Sequence, residues 1–486
     1  MKISLIEPRS PDYHVYSGLA IPRLGLPMLG TILQQQGHEV KVYVEDVEEF
    51  TAQSALEVTR SDLVGISLLS STAPRGYAMA RLLNLRQVPV VFGGVHPTFV
   101  PEEPLQYGDY VIRGEAEHSF PALVDALEKG QDLSEVPNLV YQDGDRIVHT
   151  EREKQCPDLD TLPNPDLSLL DGHKELRILP ALTTRGCPHA CTFCSVSGMF
   201  GRAYRMTDVD RVMEAAKDWK GENVFFCDDN FTAVPSRTKE LLDKMLTLDR
   251  VPRKWHAQVR AETYRDKELM DLMQRTNCER VFVGYESVDQ RVLDDYNKHL
   301  SVQEIKNSIR GFHDYGISVH GMFMFGADHD DQETFERTIG FAADNQIDTV
   351  QFLILTPVPG TDLFHRLDEE GRIITYDWSL YDGHHVVFQP EQMSPLELQL
   401  GTLRANRRFY SVRSAVRSLS SFRFTTAMVR YWGKRVLKSW HQTNSDFLDK
   451  LRSWQKHGRR FPQRFSLRKI MERDPVPVLA NNLQAL

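Results

Sequence analysis

Cysteine is scarce in this chain: there are six in 486 residues, and outside one short stretch they stand alone. So thin a supply excludes a secreted disulfide framework. No apolar run approaches the ~18 residues that a membrane-crossing helix needs. The first apolar run ends at Glu7 and is too short for a secretory signal. These absences point to a reducing, cytoplasmic setting. A hydrophobic fraction of 41% with 26% charged residues belongs to an ordinary globular chain. The length leaves room for about three domains.

Acidic residues are nearly missing from one region. Residues 401–470 hold 18 Lys and Arg against 2 Asp and Glu, so the rest of the chain is far more acidic than the net −9 suggests. Phe409, Val412, Val416 and Leu419 recur there at helical spacing, as do Val429, Trp432, Val436 and Trp440. The plain reading is a helical appendage with a solvated basic face. The sharper reading is peripheral contact with an anionic membrane. No nucleic-acid module accompanies the charge, so no such partner is expected.

Residues 1–135 alternate strand and helix patterns. Strands are expected at Lys2–Ile6, Glu39–Val44, Leu63–Leu68, Val88–Phe92 and Tyr110–Ile112. Helices are expected around Leu24–Gln36, Gly76–Leu85 and Ser119–Lys129. Crossover helices between strands predict an α/β, doubly wound, flavodoxin-like sheet that binds ligands at its strands' carboxyl ends. The loops there hold Ser70-Ser71-Thr72, Gly93-Gly94-Val95-His96 and Arg113-Gly114-Glu115. Their small residues let a bulky ligand approach the backbone, or else form helix caps and a tight turn. A hairpin and a Pro- and Asp-rich linker fill residues 136–175. Six further strand–helix units over 176–390 predict a partial (β/α)₆ barrel, and residues 391–486 form the basic helical extension.

Half of the cysteines fall in Arg185-Gly186-Cys187-Pro188-His189-Ala190-Cys191-Thr192-Phe193-Cys194, spaced C-x₃-C-x₂-C. Three thiolates can hold three irons of a [4Fe–4S] cube. With no fourth cysteine close by, the fourth iron is open to a small-molecule ligand. A structural zinc site would close with four ligands, and His189 inside the first loop brings no second pair.

This triplet, with an aromatic before its last cysteine, resembles the signature of radical S-adenosylmethionine (SAM) enzymes. The strand–helix module ahead of it resembles the cobalamin-binding domain of their B12-dependent subfamily. The resemblance implies Cys187, Cys191 and Cys194 as cluster ligands, with SAM on the open iron cleaved to a 5′-deoxyadenosyl radical. It implies cobalamin near Ser70, Thr72, Gly93, Gly94, His96 and Glu115. The D-x-H-x-x-G motif that supplies a histidine to cobalt is absent, which implies cobalamin without that ligand.

SAM contacts are expected from later strand ends. Asp228 or Asp229 stands where many family members carry Gly-Gly-Glu to hold the SAM amino group. Arg260 would meet the SAM carboxylate, and Glu286 and Ser287 the ribose. Each has a plainer reading: the aspartates as helix caps, Arg260 and Glu286 as an ion pair. The catalytic residue is unassigned.

The implied activity is methylation of an unactivated carbon of a small molecule by way of methylcobalamin. A tetrapyrrole cyclase, like the anaerobic magnesium-protoporphyrin ester cyclases, is the alternative. The three thiols disfavour a cobalamin sensor or carrier without turnover. A flavodoxin or ferredoxin is the implied reductant.

Overall fold

Short runs rich in Val, Ile and Leu build β1 (Lys2–Glu7), β2 (Glu39–Val44), β3 (Leu63–Ser67), β4 (Val90–Gly93) and β5 (Tyr110–Ile112). All are parallel and lie in the order β2-β1-β3-β4-β5, the flavodoxin-like arrangement. Helices α1 (Gly25–Gln35) and α5 (Ser119–Lys129) contribute to one apolar cluster, and α2 (Ala52–Val58) and α3 (Ala73–Asn84) to another. The sheet is thus covered on both faces, as its nearly continuous buried strands require. The structure is a computed structural model describing residues 1–10, 21–153, 156–420, 424–457, 461 and 463–473. The last part of the expected C-terminal extension, 474–486, lies outside the described residues.

The hairpin of β6 (Leu139–Asp143) and β7 (Arg146–His149) does not belong to the connection, as its place in 136–175 had suggested. It pairs antiparallel with β5 and extends the sheet to seven strands. β5 is three residues long and would otherwise leave an unpaired edge.

The second sheet contains β8 (Leu179–Ala181), β11 (Asn223–Phe226), β12 (Lys254–Val259), β13 (Cys278–Glu286), β14 (Ser318–Phe325) and β15 (Thr349–Ile354), all parallel and in chain order. This is the six-stranded partial barrel. Between β8 and β11 the chain makes an excursion closed by a short ribbon, β9 (Thr184–Arg185) with β10 (Arg205–Met206). Helices α8 (Pro235–Met245), α9 (Lys267–Arg275), α11 (Val302–Asp314) and α12 (Thr334–Asp344) pack outside it.

Helix α14 (Pro395–Phe409) opens with a reciprocal Ser394–Glu397 cap and packs on β15 and α12. Helices α15 (Val412–Ser420), α16 (Phe424–Thr443) and α17 (Ser445–His457) follow, and α18 (Leu467–Arg473) returns to α3. Among the described residues no helix is long and apolar enough to cross a membrane.

Trp255 anchors the barrel core: it is fully buried, edge-on to Phe226 at 5.4 Å, and donates to Thr276 Oγ1 at 3.1 Å. Trp255→Ala should cost about 3–5 kcal/mol, read as a lower urea midpoint for the barrel transition.

Candidate functional site

Parallel strands deliver their loops to one end, and the cysteine segment lies at that end of the barrel. Gly186 has φ +87, and a Cβ there would come 2.4 Å from the Ala203 carbonyl, so only glycine starts this turn. The segment is held at many points. Gly186 N donates to Asp229 Oδ2 (3.0 Å), Asn297 Nδ2 to the Ala190 carbonyl (3.0 Å), and Leu363 N to the Thr192 carbonyl (3.0 Å). Phe193, the aromatic before the last cysteine, packs edge-on against Tyr296 at 5.1 Å.

The three thiols are half-buried and sense one another electrostatically. Burial raises the Cys191 thiol, while Lys298 and Arg260 pull it back. Burial pushes Cys194 up to about 11, against the Val196 N–H. Burial and then Arg260 hold the His189 imidazole below its ordinary range.

A polar ring borders the segment. Arg260, just past β12, donates to Glu262 Oε1 (2.6 Å) and to the Lys298 carbonyl (2.8 Å). Glu286 ends β13 after a register shift, with φ +63, and accepts from Lys298 Nζ at 2.8 Å. Such a bulge re-aims a side chain at a strand's end. The expected Arg260–Glu286 pair is therefore not made: each has another partner. Ser287 Oγ accepts from Asp289 N at 3.1 Å. Nothing in the sequence singles out Lys298 or Asn297; only the structure shows the special turn they share, with left-handed Asn297 (φ +53) and His299 (φ +51).

Asp228 differs from its expected place. It is fully buried, its Oδ1 accepts from Thr183 N, Thr183 Oγ1 and Thr184 Oγ1, and its Oδ2 has no hydrogen-bond partner among the described residues. It braces the strand that leads into the cysteine segment, out of reach of a ligand. Asp229 instead lines a cleft of about 300 Å³ between sheet and barrel.

The cleft separates the cobalamin candidates. Gly93 and Gly94 line it, beside Leu68, Leu69 and Gly114. Among the described residues, a Cβ on Gly114 would meet no atom within 4 Å, and one on Gly93 only a carbonyl at 3.9 Å, so both leave room for a ligand. Thr72 turns away: its hydroxyl accepts from Leu69 N at 3.0 Å and closes its own turn. Ser70 and His96 also face away. His96 is fully enclosed, with its nitrogens on Ser70 Oγ (3.2 Å) and Tyr77 Oη (3.1 Å) and its ring against Trp378. Glu115 borders the cleft, but its carboxylate is taken by Arg185 (2.7 Å) and Arg205 (2.8 Å). Burial opposes its charge, yet the two arginines hold it below the ordinary carboxylate range. From the barrel, Arg185, Met199, Phe200 and Cys227 complete the wall. Cys227, one residue past β11, lines this cleft with its thiol raised by burial to about 12.

A family model described as the Radical SAM superfamily matches residues 182–342, and one described as the B12 binding domain matches residues 14–124. An uncharacterized methyltransferase of Pyrococcus horikoshii is 30% identical over 418 residues, covering 82% of this chain and 90% of that one. The bacteriochlorophyllide d C-12(1)-methyltransferase of Chlorobaculum tepidum is 27% identical over 418 residues, covering 84% and 86%. The radical S-adenosylmethionine methyltransferase TsrM of Kitasatospora setae, solved with cobalamin and a [4Fe–4S] cluster bound, shares the fold. Its TM-score is 0.67 at 16% identity, covering 91% of this chain and 99% of that one.

Burial raises the Asp228 carboxyl to about 6, against the pull of Thr184, Thr183 and Arg237. Its folded value thus lies above the ordinary one, and its stabilising contribution is full below about pH 4 and lost as pH rises to about 6. Asp228→Asn does not titrate, so wild type should lose up to about 3 kcal/mol relative to it across that window. Unfolding curves for both proteins from pH 4 to 7 check this, and parallel curves would remove the raised carboxyl.

Proposed function

Because the chain belongs to the B12-dependent radical SAM methyltransferase family, related to the anaerobic magnesium-protoporphyrin ester cyclases, we propose roles for its residues in that chemistry. The activity is methyl transfer to an unactivated carbon of a small molecule, with a [4Fe–4S] cluster, SAM and cobalamin as cofactors. The cofactors supply a 5′-deoxyadenosyl radical and a methyl carrier, and the chain supplies orientation and shelter from water.

Cys187, Cys191 and Cys194 hold the cluster, leaving its fourth iron to SAM. Lys298 and Arg260, whose charges bear on the Cys191 thiol, meet the SAM carboxylate. Asp229 accepts from the SAM ammonium in place of the enclosed Asp228, and Glu286 and Ser287 accept from ribose hydroxyls. Gly93 and Gly114 form the corrinoid floor, where the missing side chains fit a flat macrocycle, and Gly94 lets their loop turn tightly against the Leu68 backbone. One observation carries the reading. The loop bearing the thiols borders, through Arg185, Met199 and Phe200, a cleft at the carboxyl ends of the B12-type sheet.

After anaerobic reconstitution, the chain should cleave SAM reductively. Cys191→Ala should lower that rate by at least about 100-fold, more than loss of an outer partner costs. With methyl-labelled SAM and extracts of a deletion strain, label should appear on carbon in a metabolite. Deoxyadenosine without labelled product would favour the cyclase, and SAM cleavage surviving Cys191→Ala would end the cluster assignment.

We also propose a cytoplasmic setting, a flavodoxin or ferredoxin as electron donor, and an anionic bilayer as the partner of α15 and α16. These helices pack together and expose Val412, Val416, Met428 and Tyr431 beside the exposed Arg413, Lys434, Arg435 and Lys438. Arg430 of α16 donates to the Ile347 and Asp348 carbonyls ahead of β15, so this face lies at the end of the barrel opposite the cysteines. That distance disfavours it as the electron donor's dock. Basic residues near an anionic surface contribute about 1 kcal/mol each. The chain should float with phosphatidylglycerol vesicles and not with phosphatidylcholine. High salt or Met428→Glu with Tyr431→Glu should release it, and flotation insensitive to lipid charge would reject this surface.

A further inference from the structure

The loops that line the cleft also grip the cysteine segment, and they grip it from both ends. Ahead of Cys187, Arg185 is held by Glu115 (2.7 Å) and Glu117 (2.6 Å), both from the loop after β5. Their side chains are 8%, 6% and 5% exposed, so water screens the trio little. Glu115 also receives both Arg205 contacts at 2.8 Å, and Arg205 sits on β10, the strand that closes the cysteine excursion.

Behind Cys194, the contact is apolar. Phe99 ends α4 (Val95–Phe99), which starts directly after Gly93-Gly94. A Cβ on Gly198 would come 2.9 Å from its ring, and one on Gly360 would come 2.1 Å. Phe99 is thus seated between α6 (Val196–Phe200) and the turn after β15, where only glycines admit it. The loops after β4 and β5 therefore each form cleft wall on one side and hold the cysteine segment on the other.

We infer that Glu115, Glu117 and Phe99 are positioning residues that couple occupancy of the cleft to the geometry of the cysteine segment. The inference rests on the proposed corrinoid in the cleft and cluster on the thiols. A ligand seated on Gly93 and Gly114 fixes the backbone that carries Phe99 and Glu115, and these fix the two ends of the segment. Coupling of this kind is reciprocal: whatever factor the cluster adds to corrinoid affinity, the corrinoid adds to cluster affinity.

The test measures hydroxocobalamin binding to the full chain with and without its reconstituted cluster, together with the reduced cluster's electron paramagnetic resonance spectrum with and without hydroxocobalamin. Wild type should bind hydroxocobalamin at least about 5-fold tighter when the cluster is present, and its spectrum should change on binding. Arg205→Gln and Phe99→Ala change residues that neither line the cleft nor belong to the triplet, and each should bring the factor toward one. Phe99→Leu keeps an apolar plug and should retain most of it, and it serves should Phe99→Ala fail to fold. A wild-type factor of one, or a factor and spectrum that both variants leave unchanged, overturns the coupling while the cofactor assignments stand. A chain that takes up neither iron nor hydroxocobalamin overturns the assignments and the coupling with them.

Discussion

Arg185 is a guanidinium with almost no water around it, and its two carboxylate partners come from the loop after β5 in the other sheet. Removing one partner from such a buried set typically costs 3–5 kcal/mol, because a charge is left uncompensated. The pairing therefore ties the loop after β5 to the barrel, since neither side can leave without stranding a buried charge. Phe99 between two glycines adds a shape constraint at the other end of the cysteine segment. Both contacts lie at the carboxyl ends of parallel strands, where a parallel sheet has loops to spare for function.

The mouth of the barrel is built with local strain that its contacts hold in place. Glu286, Asn297 and His299 all adopt left-handed backbone without being glycine, a conformation that costs of order 1–3 kcal/mol each where nothing relieves it. The Glu286–Lys298 pair and the bond from Asn297 to the Ala190 carbonyl tie those residues to one another and to the cysteine loop. Gly284 makes this possible, since a Cβ there would come 2.3 Å from Glu286 Oε1. The strained turn and the bulged strand thus act as one support for the triplet.

Strand order and the cysteine loop were legible because they depend on local pattern. β2 and β5 begin and end where alternation and turn residues place them, and the six expected strand–helix units over 176–390 correspond to the six parallel strands of the second sheet. α2 was missed: its seven residues carry no long apolar stripe, and only the Thr51 cap signals it. Side-chain roles in the N-terminal loops were less legible. Ser70, Thr72 and His96 have the composition of ligand contacts, yet burial turned them inward. Glu115 could not be read at all without Arg185 and Arg205, which lie 70 and 90 residues further along the chain. Lys298 carries no motif and becomes conspicuous only when its turn meets Arg260 and Glu286.

The thiols themselves show why the site needs its surroundings. Burial raises the Cys191 and Cys194 thiols and so opposes the thiolate form that a metal ligand must take. Loading iron must therefore release protons, and the binding energy has to offset that cost. Lys298 and Arg260 reduce it for Cys191, and the Val196 N–H reduces it for Cys194. The same two cations stand where an anionic cofactor carboxylate would meet them. Those cations are already paired, Lys298 with Glu286 and Arg260 with Glu262, so a cofactor carboxylate would join a charged ring that is built before it arrives.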